Sequence, residues 1–523
     1  MFKATALFFK QNIYCVKYKI LKKSTKKLFM RKKVGVIGAG IGGMATAVLL
    51  KQQGFDVTVF EKNEYPGGKI GQVIDGKYRF DLGPSVFTMP ELVDELYQAV
   101  GETPEDYFQY DSLDQSCRYF YEDGTVLTAY RQTEDFIKEL TRKTGEPENH
   151  IRAYLDKSRT IYDLTADIFM FRSIHSASDL LNRQTLWSLM NSRKIDAFHT
   201  MHQSNEKQFE SEKLVQLFDR YATYNGSDPY RTPATFNIIS HLEHNKGVYY
   251  PVRGIYSIAE GLLKLMKTLS IDVHLNEGVN EIVPGRKRVE RLITDSGEYT
   301  FDYMVSNMDV NLFYSQVLKD EAMLKKVIKP EKSSSALIFY WGVRGRFPEL
   351  GLHNILFSQD YPGEFRHLFG HKKLHSDPTV YIYISSKVVP EDAPRGCENW
   401  YVMVNAPEDT GQDWTVLRSQ VREHILAKIH RMLGIDLRDY IETEQVMDPP
   451  AIGRYTSSYH GSLYGNSSNS RFAAFNRHPN FSRKYRNLYF TGGSVHPGGG
   501  IPLSLASARI VSDKIRRHEQ RQR

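Results

Sequence analysis

Cysteine is scarce. Cys15, Cys117 and Cys397 are the only three in 523 residues, and no two are closely spaced. That excludes a disulfide framework and a sequence-visible metal site, and it suits a reducing compartment. No stretch reaches 18 apolar residues, so no helix is expected to cross a membrane. Internal repeats and long low-complexity tracts are absent as well. Acidic residues are missing from the first 33 positions, which carry eleven Lys and Arg. Removing those eleven from the 69 basic residues leaves 58 against 61 acidic, so the body is near −3. The pI of about 9.0 therefore describes the leader and is no sign of a nucleic-acid partner.

Residues 1–29 are basic and carry Phe2, Leu7, Phe8, Phe9, Ile13 and Tyr14. A membrane-surface anchor, a targeting segment and an upstream start are the three readings. The segment has neither a long apolar core nor a small-residue cleavage site. Met30 stands directly before Arg31-Lys32-Lys33 and the first strand pattern. The expectation is that translation starts there and that residues 1–29 lie outside the fold.

What is present organises itself around Val34-Gly35-Val36-Ile37-Gly38-Ala39-Gly40-Ile41-Gly42-Gly43. An apolar strand runs into Gly-x-Gly-x-x-Gly at Gly38, Gly40 and Gly43, and a helical pattern follows. Gly38 permits the tight turn, Gly40 lets backbone approach a pyrophosphate, and Gly43 lets the helix lie close on the sheet. The helix N-terminus offers free N–H groups to phosphate. A second strand, Val57 to Phe60, ends on Glu61, placed to meet ribose hydroxyls. A structural glycine turn has no need of Glu61, so a dinucleotide site is expected.

The chain continues Glu61-Lys62-Asn63-Glu64-Tyr65-Pro66-Gly67-Gly68-Lys69, then Phe80-Asp81-Leu82-Gly83-Pro84-Ser85. This resembles the extended fingerprint of two-dinucleotide-binding-domain flavoproteins, in which the second glycine pair and the basic residue lie against FAD. Further on, Glu91 to Val100 reads as a helix and residues 116–127 as a hairpin. Thr133 to Phe218 is mainly helical, and Ala222 to Pro229 is a loop. His241 and His244 stand at a metal-pair spacing, but no third ligand is evident nearby, and ordinary satisfied histidines are the simpler reading. Short buried strands return at 273–276, 279–283 and 302–307. Then come aromatic, β-branched strands at 336–341, 380–384 and 400–404, which can carry apolar residues on both faces, and an amphipathic helix from Trp414 to Leu433.

Near the end, Asn487 to Phe490 runs into Thr491-Gly492-Gly493-Ser494-Val495-His496-Pro497-Gly498-Gly499-Gly500-Ile501-Pro502 and a helix. Backbone N–H groups there can stabilise negative charge on a reduced flavin. His496 sits among glycines, so a positional role is expected for it ahead of a role as base.

The N-terminal fingerprint, Phe80 to Ser85, Tyr249 to Gly254, Val305-Ser306-Asn307-Met308-Asp309 and the His-Pro-Gly-Gly-Gly-Ile-Pro stretch together resemble the bacterial phytoene desaturase family of FAD-dependent carotenoid desaturases. The likeness covers nearly everything from Met30 on. Phe87 to Leu96, Ser335 to Trp341 and Gly461-Ser462-Leu463-Tyr464-Gly465 are most like the 1-hydroxycarotenoid 3,4-desaturase branch. The resemblance implies an α/β fold. It has a Rossmann-type FAD-binding domain (residues 31–95, 247–310 and 485–517) and a discontinuous α+β substrate domain (96–246 and 311–484). It implies FAD contacts from Gly38, Ala39, Gly40, Ile41, Gly42, Gly43, Glu61, Lys62, Gly67, Gly68, Lys69, Gly83, Pro84, Ser85, Val279, Gly493, Ser494, Gly500, Ile501 and Pro502. It implies a carotenoid substrate, a cytoplasmic enzyme docked on the membrane surface, and desaturation by hydride loss. Hydride loss leaves a delocalised cation that needs only a weak base, which suits a chain with no Ser-His-Asp or paired-carboxylate constellation. Phytoene desaturation, a carotenoid oxygenase or amine oxidase of the same superfamily, and a prenyl-binding protein without activity are the alternatives.

Overall fold

The first strand, β1 (Lys33–Ile37), is buried from Val34 onward and leads through Gly38 into helix α1 (Ile41–Gln52). The computed structural model describes residues 31–180 and 183–522. The basic leader and the expected start at Met30 lie outside the described residues. α1 is apolar on nearly every side, as a helix enclosed all round must be. It packs against the helix Ser257–Thr268 and the C-terminal helix α2 (Ile501–Gln522).

β1 sits at the centre of a five-stranded sheet with β2 (Asp56–Phe60), β3 (Asp272–His274), β4 (Tyr303–Ser306) and β5 (Leu488–Phe490). The order is β5-β4-β1-β2-β3 and every pairing is parallel. An all-parallel sheet must be covered on both faces. Val34, Val36, Val57, Val59 and Val305 meet the helices on one face. Ile37, Phe60, Met304 and Phe490 meet Ile282, Leu292 and Phe313 on the other. The strands come from three distant stretches of chain, so the turn after β1 is completed by residues some 270 and 450 positions away.

A second sheet has seven strands. Their order is Ile441–Met447, Ser335–Arg344, Cys397–Ala406, Val380–Tyr383, His353–Leu356, Gln115–Phe120 and Val126–Tyr130. All pairings are antiparallel except His353–Leu356 with Gln115–Phe120. Alternation divides its apolar side chains. Leu337, Phe339, Trp341, Trp400 and Val402 face the helix Trp414–Leu433. Ile338, Tyr340, Tyr383 and Tyr401 face the other way, onto Tyr78, Phe80, Leu82 and Tyr250. Helices Thr133–Thr144, Glu148–Phe169 and Glu212–Asp219 cover the strands Gln115–Phe120 and Val126–Tyr130 through Phe136, Leu140, Tyr154 and Phe218. Gly145, in the left-handed conformation, ends the first of these helices.

One local expectation changes. The loop expected at 222–229 begins inside a 3₁₀ helix, Arg220–Asn225, that ends on Gly226. Thr223 Oγ1 donates to the Arg220 carbonyl, and the Arg220 side chain is held among tyrosines. Those side-chain contacts fix a turn that local composition reads as open.

Gly35 lies against the ring of Phe301, and a Cβ there would stand 2.6 Å from a ring carbon. Gly35→Val is expected to cost about 1–3 kcal/mol by overpacking. Urea unfolding would show it as a lower midpoint with unchanged slope.

Candidate active site

The turn after β1 is built around a residue that sequence reading did not assign, Asn307. Asn307 follows β4, and its N–H donates to the Ile37 carbonyl (2.8 Å). Its side chain fills the space between Gly38 and Gly43. A Cβ on Gly40 would lie 2.5 Å from Asn307 Nδ2, and one on Gly42 would lie 2.8 Å from Oδ1. A Cβ on Gly492 would also run into Oδ1, and one on Gly43 into the Gly38 carbonyl. Gly38 itself sits at φ 94° and makes the reversal that an L side chain resists. Gly40, before α1, offers no side-chain cap to the first N–H groups of the helix. These donors and the positive end of the helix dipole are left for an anion.

The second glycine pair closes on the first. The Gly67 N–H donates to the Ala39 carbonyl (2.8 Å), and Gly40 bridges Gly67 in parallel. A Cβ on Gly68 would stand 3.2 Å from the Gly40 Cα. Glu61 is buried; its Oε2 accepts the Ala39 N–H (2.8 Å) and its Oε1 the Asn63 N–H (3.0 Å). Burial pushes its carboxyl above the ordinary range, partly offset by those N–H donors. A carboxylate has about four acceptor positions, so two remain for hydroxyl groups. Lys69 donates its ammonium to the carbonyls of Ser462 and Leu463. Burial lowers it to about 8, with Asp309 opposing that shift.

One cavity of about 1130 Å³ joins these elements. Of the expected cofactor residues, all but Ala39 and Gly43 line it, from Gly38 through Lys62, Gly83 to Ser85 and Val279 to Gly493, Ser494 and Gly500 to Pro502. Ala39 acts through its N–H on Glu61, and Gly43 through its fit against Gly38. The cavity continues beyond the glycine turns. Ile338, Ile355, Tyr381, Tyr401 and Met403 of the second sheet line it, as do Thr165, Phe169 and Met170 of the helical layer. Two wall segments were given no place in a site by the sequence: Pro233, Phe236, Ile239 and Leu242, and the stretch from Met447 to Phe475, of which only Gly461 to Gly465 was named, as a mark of the family branch. The run of apolar residues at helical spacing in the first is the signal that could have found it.

Arg220 was also missed; a lone arginine between Phe218 and Tyr221 was its only mark. It is buried, donates to Tyr119 Oη (3.0 Å) and lies 3.7 Å from Glu243. Burial disfavours the charge on Glu243, but Arg220 and the Tyr224 hydroxyl outweigh it and hold the carboxyl low. His244 hydrogen-bonds to Tyr221 Oη (2.6 Å) and His241 Nδ1 to the Asn245 amide. No cluster of three metal-ligating side chains occurs among the described residues. His496 binds the Arg172 carbonyl through Nε2 (2.7 Å), and burial lowers it to about 4. It ties the last glycine turn to the helical layer and does not line the cavity, whereas Pro497 does.

An open helix terminus, glycine backbones in mutual contact and a buried carboxylate with spare lone pairs together fit a dinucleotide. Comparison with known proteins agrees. The family model for flavin-containing amine oxidoreductases matches residues 41–516. A 1-hydroxycarotenoid 3,4-desaturase of Flavobacterium sp. is 46% identical over 92% of this chain and 99% of its own length. A 4,4'-diapolycopene oxygenase of Methylomonas sp. is 33% identical, over 92% and 98%. Among solved structures, putrescine oxidase bound to putrescine superposes with a TM-score of 0.62 at 12% identity, over 93% of this chain and 99% of that one. Cyclohexylamine oxidase of Brevibacterium oxydans gives 0.58 at 13%, over 94% and 100%. At that identity the solved structures establish the fold alone.

Gly40→Val is expected to abolish retention of the dinucleotide, because its side chain would meet Asn307 and occupy the approach to the helix terminus. Visible absorbance after gel filtration reads this out. A Gly40→Val protein that keeps a stoichiometric chromophore contradicts the assignment.

Proposed function

Because the chain belongs to the flavin-containing amine oxidoreductase family and is an FAD-dependent oxidoreductase, we propose that it desaturates a carotenoid, removing the two hydrogens between C3 and C4 of a 1-hydroxylated end. The single observation that carries the substrate class is the cavity, which runs from the glycine turns into a largely apolar chamber between the second sheet and the helical layer. The end-to-end likeness to the desaturase narrows the reaction.

No protein side chain accepts a hydride, and bound FAD supplies a two-electron acceptor. The glycine turns at Gly38–Gly43, Gly67–Gly68 and Gly492–Gly500, with Glu61, are proposed to hold it. The remaining work belongs to the chain. Ile338, Ile355, Met403 and Phe236 hold an apolar polyene and exclude water. Positioning of the reacting carbon at about 3–3.5 Å is where most of the acceleration from orientation arises. Tyr224, Tyr381 and Tyr401 bring aromatic rings to the wall, and their π-electrons favour positive charge spread along the polyene.

The substrate's source is proposed to be a membrane surface. Among the described residues no helix is long and apolar enough to cross a membrane. Yet Leu186, Trp187, Met190, Phe198, Phe472 and Phe475 are exposed. Phe475 also lines the cavity, as do Ile195 and Ala197, the latter adjacent in the chain to Phe198. An exposed apolar side chain in the cavity wall, with further exposed apolar residues close to wall residues in the chain, supports entry of a lipid-dissolved substrate from that side.

Liposome-borne 1-hydroxycarotenoid is expected to yield a product lighter by two hydrogens and absorbing at longer wavelength, while phytoene stays colourless. Mass and absorbance spectra of the extracted pigments check both. Coloured products from phytoene alone overturn the choice of end group, and incorporation of labelled oxygen overturns desaturation in favour of an oxygenase.

A further inference from the structure

On the sheet side, the cavity wall is interrupted by two neighbouring polar groups. Ser85 Oγ and Tyr381 Oη lie 2.6 Å apart, and both residues line the cavity. Behind them, Tyr381 Oη meets His353 Nδ1 at 2.8 Å. His353 is 3% exposed and stacks between the rings of Tyr381 and Tyr383, at interplanar angles of 15° and 14°. Its Nε2 has no hydrogen-bond partner among the described residues. Burial lowers the imidazole to about 4, so it is neutral at physiological pH.

A neutral imidazole gives this chain one of two polarities. With the proton on Nε2, Tyr381 donates to Nδ1 and Ser85 donates to Tyr381, leaving an acceptor on Ser85. With the proton on Nδ1, the direction reverses, leaving a donor on Ser85. A hydroxyl group satisfies either end, since it both donates and accepts; a hydrocarbon satisfies neither.

Position adds a second constraint. In a 1-hydroxylated end, the hydroxyl-bearing carbon is only two bonds from C3. A group that reads the hydroxyl must therefore stand beside the reacting bond and not at the far end of a long chamber. Ser85 follows Gly83, which packs without room for a Cβ on the Lys69 carbonyl, next to the Gly67–Gly68 turn that bridges to Gly40, so it stands at the cofactor end of the chamber, where the proposal places the reacting bond.

We infer that Ser85, which the family resemblance set against FAD, turns its hydroxyl to the substrate and with Tyr381 binds the terminal hydroxyl, with His353 as the residue that positions the Tyr381 phenol. This rests on the reaction proposed above and adds the side chains that separate hydroxylated from plain polyenes. Loss of such a contact is discriminating, because a polyene without the hydroxyl leaves the open hydrogen-bonding position at the Ser85 end of the chain unmatched in an apolar wall.

The test measures equilibrium binding of a 1-hydroxycarotenoid and of the same polyene without the hydroxyl, by quenching of tryptophan fluorescence in the FAD-loaded enzyme. The native chain is expected to prefer the hydroxylated form by at least about tenfold. Tyr381→Phe, and independently Ser85→Ala, are expected to bring that ratio close to one. A native ratio near one overturns the proposal, as does a Tyr381→Phe protein that weakens both ligands equally. Turnover separates this from the reaction itself. Preference in binding without desaturation keeps the hydroxyl site and discards the reaction; desaturation without preference does the reverse.

Discussion

The Asn307 amide occupies the space that side chains on Gly40, Gly42 and Gly492 would need. Its Cβ also lies 3.2 Å from where a Cβ on Gly43 would sit. This close packing joins three stretches of chain that are hundreds of residues apart. It is possible only because β4 lies beside β1 in a parallel sheet, with β5 on its far side. The C-terminal ends of all three strands then open at one edge, where such sheets bind ligands. The glycine turns and the uncapped helix terminus both follow from that alignment.

The turn after β1 was legible because its requirements are local: an apolar strand, glycines at fixed intervals, a helix apolar on every side and an acid at the end of β2. Asn307 was less so. It appeared only within Val305 to Asp309, one of the stretches that carry the family resemblance, with no role of its own, and nothing nearby indicates that four distant glycines surround it. The same holds for Arg220 and for the wall from Pro233 to Leu242, whose neighbours are fixed by tertiary contact. Glu61 shows both sides. Its place was read from spacing, but its hold on the Ala39 N–H, which braces the turn even without ligand, is a matter of geometry.

The chamber beyond the glycines combines low polarity with a few buried charges that are paired or neutral. Glu243 and Arg220 face each other among tyrosines, and His244 and His353 are lowered to about 4 by burial. A buried ion pair is weak evidence for stability, because desolvation offsets its attraction. Both residues of this pair also line the cavity.

The most direct test of the account is a single turnover without oxygen. The FAD-loaded enzyme is mixed with an equimolar 1-hydroxycarotenoid, and flavin and polyene absorbance are followed together. The account predicts that oxidised-flavin absorbance is lost in step with the red shift of the polyene, one flavin for each new double bond. Product formed while the flavin stays oxidised, or product that appears only when oxygen is admitted, would contradict it.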